Sequence, residues 1–291
     1  MSGDQATGYT TIGWASESSY STEATPSTWF KTLGQGPRVQ PKQLTITDES
    51  DRPSLAGLPM QHHPSHADVT LSMYLRGKSG AAGTAAIQGE LLQACGWSET
   101  LDAGVDAEYV LDGVFQDDTD YPAVTVVENR WQDDGQYRTY KSRGVRGNVG
   151  IVFEEGKYVQ LDVADAKGLY DAPSSIASGS VPGTYDGSKA PLKVSGMTVT
   201  VAGTSRKVKK VSFASALEVV TSTTGTGSAA VDCVRLHRAP GSAPTVDIEF
   251  ESVEAFEQFL TALTAETQLA LVVTVTDGTD TIEYTDTIQA G

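Results

Sequence analysis

His62, His63 and His66 form His-His-Pro-Ser-His, the only histidine cluster of the chain, and neutral imidazoles are frequent metal ligands. Pro64 and the preceding Gly57-Leu58-Pro59 place the cluster in a loop, not on the helix that a His-Glu-x-x-His site needs. No cysteine or acid stands at a recognised ligand spacing. A polar loop is therefore the favoured reading, and no metal or other cofactor is expected. Gly144, Gly147 and Gly150 in SRGVRGNVG match neither Gly-x-Gly-x-x-Gly nor a Walker lysine-serine pair. They read instead as a twisted or bulged strand. The acid pairs Asp117-Asp118 and Asp133-Asp134 lack the Asp-x-Asp-x-Asp-Gly calcium loop. Glycosidase carboxylates come from distant positions that spacing does not pair. There is no Gly-x-Ser-x-Gly elbow and no cysteine-protease signature. Arg206, Lys207, Lys209 and Lys210 are interrupted by Val208, which suits a solvated strand face better than a phosphate track. Nothing in these residues asks for catalysis, and an enzyme is not expected.

The charge pattern is more telling than any motif. The 291 residues carry 21 basic and 37 acidic side chains, a net charge of −16, which argues against nucleic acid as a tightly held partner. Between Lys78 and Arg130 there are ten acids and no Lys or Arg, Asp117, Asp118 and Asp120 among them. After Arg238 there are again ten acids and no Lys or Arg, including Asp247, Glu249, Glu251 and Glu283. One reading is two solvated faces. The other is two acidic walls that line a channel or meet basic surfaces such as Lys207, Lys209 or Arg138 on neighbouring copies. Two cysteines are too few for a disulfide framework, so reduced cytoplasmic synthesis is expected. The N-terminus does not read as a secretory signal, and no apolar run is long enough for a spanning helix.

The elements that must position these residues are mostly strands. Val69, Leu71, Met73 and Leu75 alternate with Thr70, Ser72 and Tyr74. Val149, Ile151 and Phe153 alternate likewise, and a Glu-Glu-Gly turn leads to Val159, Leu161 and Val163, which reads as a hairpin. Further alternation runs through Val199–Val201, Val208–Phe213, Val219–Val220, Val231–Leu236 and Val246–Phe250. Asp277-Gly278 joins Leu269–Thr276 to Thr281–Ile288 as a closing hairpin. Two segments read as helix. Thr84 is placed to cap AAIQGELLQAC, with Gly96 just past its end, and Ser252 to cap VEAFEQFLTALTAE. Val253, Phe256, Phe259, Leu260 and Leu263 form a stripe at helical spacing, read as core. Strand then helix occurs twice, roughly 175 positions apart, each time inside a block without basic residues, which hints at duplication. The fold expected is mainly β, a sandwich or barrel with flanking short helices, in two tandem halves. Its parts are an extended arm at 1–35, a first domain at 36–172, a Ser/Gly/Pro-rich linker at 173–191 and a second domain at 192–291.

The run Glu17-Ser-Ser-Tyr20-Ser-Thr-Glu23-Ala-Thr-Pro26-Ser-Thr-Trp29-Phe30 resembles the start of the tail tube (major tail) proteins of long-tailed bacteriophages. In that family Glu-x-x-Tyr-Gly-Thr-x-x-x-Pro leads into the first strand; here Ser21 stands where glycine is usual. Three later stretches match in order: VTLSMYLRG with AIQGELLQACG, the Gly-x-x-Gly-Asn-Val strand at Gly144 to Val149 with its Glu-Glu-Gly turn, and KVSFASALEVV at 210 to 220. The last is looser, because the family often has asparagine near Ala216. Each motif is short, but together they cover most of the chain.

The resemblance implies a structural virion protein that partners itself. Its rings hold six copies, or three if each chain supplies two halves, and they stack into a tube through which DNA passes without specific binding. It also implies tape-measure and tail terminator or distal tail proteins as partners, and a non-contractile tail as the default. On this reading Trp14, Tyr20, Trp29 and Phe30 belong to an arm, mobile in the free chain, that straps onto a neighbouring subunit. Part of the acidic blocks lines the bore. The alternatives are a surface-exposed β-sandwich binding or decoration module, on a phage head or on carbohydrate, and a β-sandwich polysaccharide-degrading enzyme.

Overall fold

Val69, Leu71, Met73 and Leu75 are buried as their alternation demands, with Thr70 and Tyr74 exposed on the opposite face of the same strand. The computed structural model describes residues 10–33, 38–46, 61–77, 81–111, 122–131, 137–176, 184–185, 190–194, 196–201, 204–206, 208–222, 233–237, 244–264, 269–276 and 281–288. Over these residues the chain is mainly β, almost wholly antiparallel, with two helices.

The first elements are β1 (Thr10–Ser16), β2 (Thr28–Trp29), β3 (Val39–Ile46), β4 (Gln61–Tyr74), α1 (Gly89–Ala94), β5 (Trp97–Asp102), β6 (Asp106–Leu111), β7 (Val124–Trp131), β8 (Tyr137–Glu154) and β9 (Gln160–Ile176). After these come β10 (Thr184–Tyr185), β11 (Gly196–Val201), β12 (Thr204–Arg206), β13 (Val208–Ala214), β14 (Glu218–Ser222) and β15 (Cys233–His237). The chain closes through β16 (Thr245–Phe250), α2 (Val253–Thr264), β17 (Leu269–Thr276) and β18 (Thr281–Ile288). The largest sheet has eight strands in the order β1-β7-β8-β9-β4-β3, with β13 added beside β8 and β16 beside β13. One sheet therefore draws strands from both sides of residues 173–191. A second sheet runs β12-β11-β17-β18, and β10 with β2, β14 with β15, and β5 with β6 form pairs.

β8 organises the large sheet. Its 18 residues pair with β9 along most of their length. On its other side, residues up to Val145 pair with β7, whereas Gly150 to Glu154 pair with β13. The changeover falls at the glycine-rich run, where the register to β9 shifts between Arg143 and Arg146 and again between Arg146 and Asn148. Bulges of this kind bend and twist a strand, which is the geometry expected from Gly144, Gly147 and Gly150. Gly144 has φ +60°, and a Cβ there would lie 2.8 Å from the Tyr20 ring. The Glu-Glu-Gly turn closes the β8–β9 hairpin as expected, with Gly156 at φ +78°.

Two buried ion-bearing contacts fix how the sheet folds over itself. The Glu128 carboxylate on β7 is fully buried and accepts the backbone N–H groups of Arg38 and Val39 at 2.8–3.0 Å, together with Arg130 Nη2 at 2.6 Å. Arg130 in turn donates to the Val39 carbonyl at 2.6 Å and lies 3.8 Å over the Tyr140 ring. Every oxygen of the buried carboxylate is thus occupied, the condition under which a buried charge is tolerated. Tyr284 of β18 meets Phe213 of β13 at 5.4 Å between ring centroids, seating the four-stranded sheet on the core side of the large one.

Three local expectations need correction. Helix α1 begins at Gly89, not after Thr84, whose hydroxyl turns back to the Ala81 carbonyl at 2.8 Å. The residues between are held in turns because Gln88 is spent on β4: its Nε2 donates to the Tyr74 carbonyl and its Oε1 accepts from Arg76 N–H. Gly96 ends this helix in the left-handed region, φ +82°, as its position implied. His62, His63 and His66 lie in β4 and not in a loop. Pro64 is accommodated where the register to β3 shifts between Lys42 and Gln43. The stripe of α2 is only half buried, although Ser252 caps the helix as predicted, its Oγ accepting Ala255 N–H at 3.2 Å. Phe259 packs on Phe250, whereas Val253, Phe256 and Leu260 remain exposed because nothing in the chain covers that face among the described residues.

Two outcomes test this account. Replacing Glu128 by Ala leaves Arg130 and two N–H groups without their acceptor and is expected to cost about 3–5 kcal/mol in urea unfolding, with Glu128→Gln costing less. Complete burial pushes the Cys95 thiol up to about 12, so iodoacetamide at pH 8 is expected to label Cys95 only after denaturation.

Candidate assembly face

Side-chain alternation carries one polar surface across five strands. Pairing places Ser72 and Tyr74 of β4 beside Asp162 and Gln160 of β9, which lie beside Gly150 and Val152 of β8. Val152 and Glu154 then face Ser212 and Lys210 of β13, and these face Asp247 and Glu249 of β16. The opposite side of the same strands is core, with Val211 and Phe213 buried and Val246, Ile248 and Phe250 packed against it. Among the described residues the paired positions of this face carry four carboxylates, Glu154, Asp162, Asp247 and Glu249, together with Lys210; the exposed Lys209 stands in the β13 bulge beside them, and Lys157 pairs with Glu154. It spans about 19 Å across the strands at the usual inter-strand spacing. Gln160 Nε2 ties its middle by donating to Ser72 Oγ at 3.1 Å and to Asp162 at 3.0 Å.

The face ends at an open edge. Among the described residues β16 pairs with β13 alone, and its outward edge carries neither the lysine nor the proline by which edge strands commonly block further pairing. Such an edge can accept another strand.

Some of the acids singled out in the sequence fall on this face. Asp247 and Glu249 are exposed there, and Glu251 is exposed just beyond β16. Glu283 is exposed on β18, in the other sheet, on the side opposite Ile282 and Tyr284. Asp117, Asp118 and Asp120 lie outside the described residues, as does Lys207. Glu154 and Asp162 complete the face, and only the pairing register reveals them, because each comes from a charge-mixed stretch. Arg138 sits at the far end of β8 from Glu154, too distant to balance these carboxylates within one chain. Of the histidines, only the His66 side chain can be described, and it bonds Asp68 at 3.1 Å. Among the described residues no three His, Cys, Asp or Glu side chains are grouped to hold a metal ion, and no helix is long and apolar enough to cross a membrane.

The aromatic residues expected to reach a neighbour stay at home. Trp14, Trp29 and Phe30 are buried within their own chain. Trp14 stacks on Phe30 with centroids 4.3 Å apart, and β1 pairs with β7 from Thr10 to Ser16. Burying these rings against the chain's own sheet stabilises the isolated protein by the same hydrophobic term that a partner would have supplied. The arm reading of these residues is therefore corrected.

Tyr20 and Glu17 instead brace the β8 changeover. Glu17 Oε1 accepts Gly144 N–H at 2.7 Å and the Thr125 hydroxyl at 2.8 Å. The Arg146 guanidinium lies 4.7 Å over the Tyr20 ring and donates to the Val234 carbonyl at 2.9 Å, while Val234 N–H donates to the Tyr20 hydroxyl at 2.6 Å. Just beyond, Asn148 Oδ1 accepts Leu217 N–H at 2.7 Å, and its amide also donates to the Leu217 carbonyl. Glu-x-x-Tyr, Gly-x-x-Gly-Asn-Val and the 210–220 stretch, far apart in sequence, thus meet around one bend. Three non-glycine residues around it lie in the left-handed region, Ser21 at φ +58°, Asp165 at φ +50° and Ala216 at φ +51°.

That conformation costs an ordinary L-residue about 1 kcal/mol or more. Ser21→Gly and Ala216→Gly are each expected to stabilise the protein by about 0.5–1 kcal/mol in urea or thermal unfolding, whereas Gly144→Ala destabilises it. Compared with known proteins, the chain matches no family model and no curated protein.

Proposed function

We propose that this chain is a structural subunit of a bacteriophage tail tube, closing into rings that stack around a bore through which DNA passes. The observation that carries the reading is the backbone conformation at the two places where the chain departs from the family pattern. Ser21 stands where the family has glycine, and the family's asparagine falls near Ala216. Both residues adopt the left-handed conformation that glycine and asparagine accept at least cost. The departure at Ser21 thus sits where the backbone favours the family's glycine, and the family's asparagine falls close to a second such position at Ala216.

The geometry of the five-strand face supports the same role. In a ring, the open edge of β16 continues into the sheet of the next copy, which removes a surface otherwise prone to unlimited pairing. The β-sandwich or barrel character of the subunit is completed by that closure. The face bearing Glu154, Asp162, Asp247 and Glu249 turns towards the bore. Duplex DNA carries about one negative charge per 1.7 Å of axis, so a predominantly acidic wall repels it weakly throughout and offers no place to stick. No catalytic chemistry is needed.

The test is negative-stain microscopy of concentrated protein. Rings or tubes with a central hole are expected, and particle symmetry counts the subunits as three or six. A uniform population of monomers without a hole would overturn the reading and favour a surface-exposed decoration or binding module.

A further inference from the structure

At the end of the five-strand face where the β8–β9 turn lies, two surfaces of different chemistry are exposed. On the β16 side, α2 leaves Val253, Phe256 and Leu260 72%, 44% and 41% exposed, although Phe256 and Phe259 both approach Phe250. Glu254 and Glu257 stand exposed beside this stripe, and no Lys or Arg follows Arg238 in the sequence. The surface is apolar at its centre, and the charged residues of α2 beside it are both acidic.

On the β4 side the chemistry reverses. The tyrosines Tyr74 and Tyr158 lie with ring centroids 5.1 Å apart and are 36% and 45% exposed. Lys193 is exposed beside them, its residue bridged to Tyr158, and Lys157 follows the β8–β9 turn with its side chain 66% exposed. Arg76, bridged to Pro191, is half-buried, its guanidinium 5.9 Å over the Phe30 ring. Against these stand Glu154, which pairs with Lys157 at 2.6 Å, and Glu155. Tyrosine rings and lysine stems supply apolar area with a cationic tip, which is what the α2 surface lacks.

We propose that the α2 stripe of one copy docks on the Tyr74–Tyr158–Lys157–Lys193 surface of a second copy. The two surfaces differ, so the contact is heterologous, the kind that generates rings when its rotation closes. The inference rests on the ring reading above and names the surfaces that mate. Adding a strand to β16 and covering α2 then become one event, because α2 follows β16 after only Glu251 and Ser252.

Charge exchange tests it. Sedimentation velocity is run on the full chain, on Glu254→Lys/Glu257→Lys, on Lys157→Glu/Lys193→Glu, and on the variant carrying all four changes. Each double variant is expected to weaken association at least about tenfold, since like charges then face each other across the contact, and the fourfold variant is expected to regain it. Double variants that assemble like the parent, or a fourfold variant no better than either double, would overturn the docking; rings still seen for the parent chain would leave the tail-tube reading standing. A parent chain that stays monomeric at every concentration would remove both.

Discussion

A single strand has to serve two neighbours on one side, and the structure is arranged around the bend that allows it. β8 leaves β7 near Val145 and takes up β13 at Gly150. Between those points its register slips twice against β9. A backbone bent this way has N–H and C=O groups that no regular ladder satisfies, and burial makes unsatisfied groups expensive. Glu17 takes Gly144 N–H, Ser215 Oγ accepts Val149 N–H, and Asn148 returns the favour to Leu217. Tyr20 fills the space that a side chain at Gly144 would need. Without that bend β13 and β16 would have no edge of β8 to join, and the polar five-strand face would not exist.

Much of this was legible in the residues, for a physical reason. Alternation marks a strand with one face in the core, so Val69, Leu71 and Met73, and likewise Val149, Ile151 and Phe153, were assigned to strands and buried faces correctly. Glycines at a turn or a bulge announce conformations that other residues avoid, which made the β8–β9 hairpin and the bent run at Gly144 readable. The misreadings share a different cause. A Trp or Phe states that it will be buried but not by whom, so Trp14, Trp29 and Phe30 were assigned to a neighbour when β7 and the chain's own core already covered them. The α2 stripe erred in the other direction, since its periodicity is that of a buried helix while Val253 has no cover among the described residues. Charge registered across strands was invisible for the same kind of reason: Glu154, Asp162 and Asp247 share a face only because pairing aligns them.

The proposed docking has an electrostatic logic. A net charge of −16 makes copies repel at long range, which discourages indiscriminate contact between edges such as that of β16. Screening confines this repulsion to about 8 Å at physiological ionic strength. Inside that distance the local arrangement decides, and the arrangement is uneven: Glu254 and Glu257 border the exposed α2 stripe, whereas Lys157, paired with Glu154, and Lys193 stand beside Tyr158. In the proposed assembly, long-range repulsion filters encounters and short-range complementarity selects the orientation.

The same sign of charge has a separate consequence on the polar face. Glu154 and Glu249 flank Lys210 from either side, and Glu154 also pairs with Lys157, so lysines of that surface stand beside carboxylates of their own chain. Removing Lys210 would deepen the repulsion between Glu154 and Glu249, because carboxylates would then face each other across β13 with nothing between them. A lysine placed there stabilises the sheet locally while leaving the face acidic as a whole. The polar face can thus hold its strands together and remain unattractive to a polyanion, two requirements that a surface lined by lysine alone could not meet at once.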